Sequence, residues 1–190
     1  MTLTKQDIKE IGESILMDRI ESLKNEARHC IYLNEETKEM MAPFSALLYC
    51  FSTIDLLGSL YTGKFNERED TKNVKLYMKE MMSYSDLQIT LLQNIFRHKL
   101  VHSAEPKWLH KNNDEIYTWS CYRDNRKKHL ECIELDKEAH ANNFSISIWS
   151  FVEDIVDSVN KDDGYLNKLL KDKIFFENFK KALDGIMDEN

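Results

Sequence analysis

Between residues 5 and 30, Ile8, Ile11, Ile15, Leu16, Ile20, Leu23 and Ala27 recur at steps of three and four. That spacing lays one apolar stripe along an α-helix. Thr4 or Asp7 suits its start as a cap. Asn34-Glu35-Glu36 is a polar break. Residues 37–62 predict a second helix, apolar over most of its circumference through Phe44, Leu47, Leu48, Phe51, Ile54, Leu57, Leu60 and Tyr61. A helix of that kind is buried among others, and Gly63 suits its C-terminal cap. A charged connection follows over 64–71. Residues 72–83, with Val74, Tyr77, Met78, Met81 and Met82, predict a short third helix. Ser85-Asp86 can start a fourth that turns Leu87, Leu91, Leu92, Ile95 and Phe96 inward and ends near His102, because Pro106 blocks continuation.

The periodicity then changes. Residues 116–121 and 129–135 alternate and carry β-forming residues, with a polar turn over 122–128 between them. This predicts a β-hairpin at about 115–135. Helix returns over 137–159, with Phe144, Ile148, Phe151, Val152, Ile155, Val156 and Val159 as its stripe, and again over 173–187. The expected fold class is therefore all-α: a bundle of five to six helices with a small inserted hairpin, in one domain over 1–190.

Composition agrees with a packed core. Five Gly and two Pro leave little turn punctuation, which favours long helices. No stretch approaches the roughly 18 apolar residues of a membrane span, and the polar first residues lack a signal-peptide core. The expected location is the cytoplasm, with no membrane association. Cys30, Cys50, Cys121 and Cys132 form no Cys-x-x-Cys pair and read as free thiols. Cys121 and Cys132 could face one another across the hairpin.

Charge is unevenly spread. The chain carries −7 in all, yet residues 97–129 hold eight Lys or Arg against four Asp or Glu. His98, His102, His110 and His129 fall in the same stretch. A basic, histidine-rich region on an acidic chain points to an anionic ligand at a local site, or to a solvated face.

Within it lies Arg97-His98-Lys99-Leu100-Val101-His102. Arg97 offers a fixed charge with planar donors that match phosphate. A histidine titrates near neutrality and can move protons. On an ideal helix Arg97 and His102 stand roughly 140° apart, so they converge only at a helix end. His98 and His102, four apart, share a face. Such groups suffice to cleave RNA without a metal: a base takes the 2′-hydroxyl proton, the oxygen attacks phosphorus, and the guanidinium stabilises the added charge. The plainer reading is a basic helix terminus favoured by the macrodipole, worth about 0.3–1 kcal/mol per charge. The His98/His102 pair also has zinc-like spacing, but Lys99 would repel a cation and no acid lies between the two. No metal and no cofactor is expected.

Arg97 to His102 at the end of a helix, preceded by Ile54-Asp55-Leu56-Leu57-Gly58 on a long apolar helix, resembles the Arg-x(4–6)-His motif of the HEPN superfamily. The similarity covers roughly residues 37–106. His98 fits the slot after Arg that the family fills with Asn, Asp or His. The resemblance implies an endoribonuclease acting on single-stranded RNA in defence or stress. It implies a homodimer whose two motifs form one cleft, with Arg97 and His102 catalytic and His98 orienting them or touching RNA. Ala104 stands where the toxin branch carries Tyr, so an antitoxin of that branch is not implied, and any other protein partner is open. Lys99, Arg123, Arg126, Lys127 and Lys128 are candidate phosphate contacts, and Asp55 a candidate buried support for Arg97. Trp108 and Trp119 could stack on bases or pack the hairpin. The alternative function is a non-catalytic HEPN-like module that binds RNA, a nucleotide or a protein.

Overall fold

A computed structural model describes residues 4–32, 34, 39–64 and 70–188. The elements run α1 (Lys5–Cys30), α2 (Pro43–Thr62), α3 (Asp70–Glu80), α4 (Asp86–Leu91), a π-helical turn (Leu92–Arg97) and α5 (His98–Ser103). Strands β1 (His110–Asn112), β2 (Glu115–Tyr122), β3 (Cys132–Asp136) and β4 (Ala141–Ser147) follow, then α6 (Ile148–Asn160), α7 (Tyr165–Lys171) and α8 (Lys173–Asp188). The fold is mixed α and β, and this corrects the all-α expectation. Residues 35 and 36 of the expected polar break, the expected helix start at 37 and most of the 64–71 connection lie outside the described residues.

The chain forms two compact units. The first takes 1–23, 52–84 and 154–190, and its described elements are all helices. Thr4 caps α1 in a reciprocal pair: Asp7 N–H donates to Thr4 Oγ1 at 3.2 Å, and Thr4 N–H donates to Asp7 Oδ2 at 2.7 Å. The Thr4 N–H, and then the Thr4 hydroxyl, donate to Asp7 Oδ2 and hold the Asp7 carboxyl below its usual pKa. Leu16, Ile20 and Leu23 are fully or nearly fully buried. The centre is aromatic: Tyr61 meets Tyr77 at 5.7 Å, Tyr165 at 5.6 Å and Phe175 at 4.9 Å between ring centroids. Tyr77 Oη and Ser158 Oγ share a buried hydrogen bond of 2.9 Å. Gly58 lets α3 approach α2, since a Cβ there would lie 2.9 Å from the Asn73 backbone. Gly63 closes α2 at φ +71°, as the sequence suggests.

The second unit takes 24–51 and 85–153 and holds the whole sheet. Its strand order is β1-β2-β4-β3. The expected hairpin between 116–121 and 129–135 does not form. Strands β2 and β3 are separated by β4, which pairs parallel with β2 (Trp119 opposite Phe144) and antiparallel with β3 (Cys132 opposite Phe144). The sheet is two hairpins side by side: β1–β2 turns at Asn113, whose φ of 54° suits a two-residue turn, and β3–β4 turns through 137–140. Cys121 and Cys132 therefore sit on non-adjacent strands, and all four cysteines are free. Residues 141–147, expected to be helical, are strand, and α6 begins only at Ile148.

One sheet face, carrying Tyr117, Trp119, Phe144 and Ile146, packs on helices. Trp119 meets Phe44 and Phe96, each at 5.7 Å, edge to face. The opposite face carries polar residues that bond one another, such as Ser120 Oγ to Asn143 Oδ1 at 3.1 Å. Helix α2, over Pro43–Thr62, is long and apolar enough to cross a membrane, and 61% of that stretch is buried inside the protein. That is the burial of a core helix.

Candidate functional site

The Arg97 to His102 segment spans a change in helix geometry. Ser85 caps α4 through a full capping box with Gln88. From Leu92 the helix widens to a π-turn, and His98 N–H reaches back five residues to the Gln93 carbonyl. The buried positions explain the widening. Leu91 and Leu92, then Ile95 and Phe96, then Leu100 all point inward. Their spacing of four to five residues exceeds the 3.6 of an α-turn. Leu87, expected inward, is exposed. After Pro106 the chain folds back, and Lys107 N–H donates to the Ile95 carbonyl at 2.7 Å.

Arg97 closes the π-turn and is half-buried, as is His98. Both are engaged with neighbours. Lys99 and His102 are exposed. Helix α5 stops one residue after His102, at Ser103. Ala104 adopts φ 58° and its N–H donates to Leu100 O at 3.1 Å, a left-handed cap more often supplied by Gly. Ser103 Oγ donates to Lys99 O at 2.8 Å. The fixed cation is thus set in the fold, while the second histidine stands at an open helix end. Near it in sequence, Val101, Trp108 and Leu109 are exposed at 58, 73 and 62%.

Asp55 lies on the part of α2 that belongs to the first unit, half-buried and engaged with a neighbour. Arg123, Arg126, Lys127 and Lys128 lie on the segment between β2 and β3, with a 3-10 turn over Arg126–Lys128. This segment follows Tyr122, five residues beyond the partner of His110 on β2. At about 3.3 Å per residue that is roughly 17 Å of strand. Two of the four cations have structural work. Arg126 Nη1 donates to Ser150 O at 3.0 Å, and Lys128 pairs with Glu131 at 2.7 Å. Arg123 and Lys127 are exposed. The segment is held by Asn125 N–H to Ser147 Oγ (2.9 Å), Trp149 N–H to Arg123 O (3.0 Å) and Ser147 N–H to His129 Nδ1 (3.2 Å).

Two features escape a reading of periodicity. His110 is buried, and neither ring nitrogen meets a hydrogen-bond partner among the described residues. Burial, and then Lys107, push its pKa below the usual value. The other is a cleft of about 460 Å³ lined by Arg28, Ile31, Tyr32, Arg123, Asp124 and Trp149. Of these, only Arg123 stands out in the sequence. Among the described residues, no three His, Cys, Asp or Glu side chains gather as a metal site. Comparison of the chain with family profiles, with characterised proteins and with solved structures finds no match.

Proposed function

We propose that this protein is a metal-independent endoribonuclease of the HEPN type that cleaves single-stranded RNA in the cytoplasm, in defence or stress. The observation that carries the proposal is the exposed His102 imidazole at an open helix end, five residues beyond the half-buried Arg97. In this reading a His102 nitrogen takes the proton of the ribose 2′-hydroxyl. The 2′-oxygen bonds to phosphorus, the bond to the 5′-oxygen breaks, and a proton returns to that leaving oxygen. Arg97, half-buried, balances the extra charge of the pentacoordinate phosphorus. His98 orients the pair or touches the strand. Lys99, Arg123 and Lys127 contact phosphates. The products are a 2′,3′-cyclic phosphate and a 5′-hydroxyl, and DNA is left intact.

The reading includes a homodimer, with two motifs facing one cleft. The reading takes the exposed Val101, Trp108 and Leu109, near the motif in sequence, as the surface that seats the second copy. The test is cleavage of a labelled single-stranded RNA in EDTA by the parent protein, Arg97→Ala and His102→Ala. Loss of cutting in both variants supports the assignment. Intact RNA with the parent protein refutes it. A second reading, a non-catalytic module that binds RNA or a nucleotide, is favoured by the Arg28–Trp149–Arg123 cleft, which lies apart from the motif in sequence.

A further inference from the structure

Helix α1 ends at Cys30, and the chain beyond it doubles back: Met41 N–H donates to Tyr32 O at 3.0 Å, and Ala42 N–H to Cys30 O at 2.9 Å. This fold-back sets Tyr32 beside Arg28. On the facing side, the bond from Trp149 N–H to Arg123 O ties the basic segment to the first turn of α6. Arg28 lies over the Trp149 ring at 5.4 Å, within cation–π range. The result is a cleft of about 460 Å³, within the size range of small-molecule sites. Two guanidiniums, a half-buried indole and a phenol line it, with one carboxylate, Asp124. Ile31, buried, lines it as an apolar wall. A second cavity, of about 490 Å³, shares Arg28 and Tyr32 with it and is also lined by His29 and Met41.

We infer that this cleft is a nucleotide subsite, taking a nucleoside monophosphate unit, either free or as one unpaired residue of single-stranded RNA. A guanidinium already stacked on an indole is a platform for a planar ring, since each base has a π-face to offer. The Arg28 and Arg123 forks suit a phosphate through paired, charge-assisted bonds. The Asp124 carboxylate leaves the cleft with a surplus of one positive charge. It disfavours a bare polyanion and can accept a hydrogen bond from a base amine or a ribose hydroxyl. Inorganic phosphate lacks the ring, and a nucleoside lacks the charge. Both features are needed, and this selects the nucleotide. The inference does not depend on cleavage by Arg97 and His102.

The test is titration calorimetry of the full chain, carrying His102→Ala so that RNA is not consumed, against AMP, adenosine, inorganic phosphate and a single-stranded RNA. Saturable AMP binding is expected, weakened about tenfold or more by Arg28→Ala and by Arg123→Ala, because each removes a charge-assisted bond to the phosphate. Both side chains are exposed, so these variants keep the fold, as circular dichroism will verify. Trp149→Leu should weaken AMP binding more than it weakens any phosphate binding. RNA that competes with AMP identifies a strand residue as the source of the ligand. RNA that binds without competing identifies the free nucleotide. Absence of saturable AMP and RNA binding at millimolar concentration overturns the inference. So does AMP binding that neither arginine variant alters, or AMP binding no tighter than that of phosphate alone.

Discussion

Ala104 is a left-handed residue with a side chain, two positions past His102, and its substitution ties stability to the motif. At φ 58° its Cβ crowds the backbone, at a cost of roughly 1–2 kcal/mol for an L-residue. Glycine removes that crowding but brings a more flexible unfolded chain, costing about 0.4–1 kcal/mol. Ala104→Gly should therefore stabilise the protein by about 0.5–1 kcal/mol. For a chain of this size that raises the melting temperature by roughly 1–4 °C. The cap bond from Ala104 N–H to Leu100 O at 3.1 Å involves only backbone, so the end of α5 and any activity at His102 should persist. Ala104→Val is the counterpart. A β-branched residue is a true outlier at this φ, and it should destabilise by at least about 1 kcal/mol while displacing His102. Paired calorimetric melts of the parent and both variants give the result. A lower melting temperature for Ala104→Gly, or equal values for Gly and Val, would refute a strained cap at this position.

Phe96 is fully buried and touches both Trp119 and Phe144, so Phe96→Ala should cost about 3–5 kcal/mol; a urea midpoint close to the parent's would show that the sheet is not anchored on this helix. The lowered pKa of His110 means that the unfolded chain binds its proton more readily than the folded one. That contribution to stability is complete above the unfolded pKa of about 6.5 and is lost as pH falls toward the lower folded value. His110→Leu should flatten melting temperature against pH across this acidic window, and parallel profiles for parent and variant would count against the assignment. If Trp108 and Leu109 seat a second copy, Trp108→Ser with Leu109→Ser should shift sedimentation toward monomer, whereas an unchanged sedimentation coefficient would remove this surface from consideration.

Long apolar stripes were legible in the sequence. Helix α1 begins and ends where its stripe does, because a single face meets the core. The early part of α2 was overread, and its helix starts at Pro43, a residue suited to the first helical position. The sheet was harder. Residues 141–147 read as helix because Phe144, Ile148 and Phe151 continue a stripe at helical spacing. Their strand character rests on Ser145 and Ser147, which are small enough to be fully buried and so hide the alternation. With 141–147 read as helix, β2 and β3 are left as sequence neighbours, the commoner pairing. The motif's helix end was legible from Pro106, but not the π-turn, which answers to tertiary burial. The Arg28–Trp149 stack joins residues 121 positions apart, and no local pattern marks it.

The measurement that bears most directly on the central claim is product analysis after incubating single-stranded RNA with the protein in EDTA. The account predicts fragments ending in 2′,3′-cyclic phosphate and beginning with 5′-hydroxyl, at a rate reduced by about 100-fold or more in both Arg97→Ala and His102→Ala. RNA that stays intact, or variants that cut as fast as the parent, would contradict it.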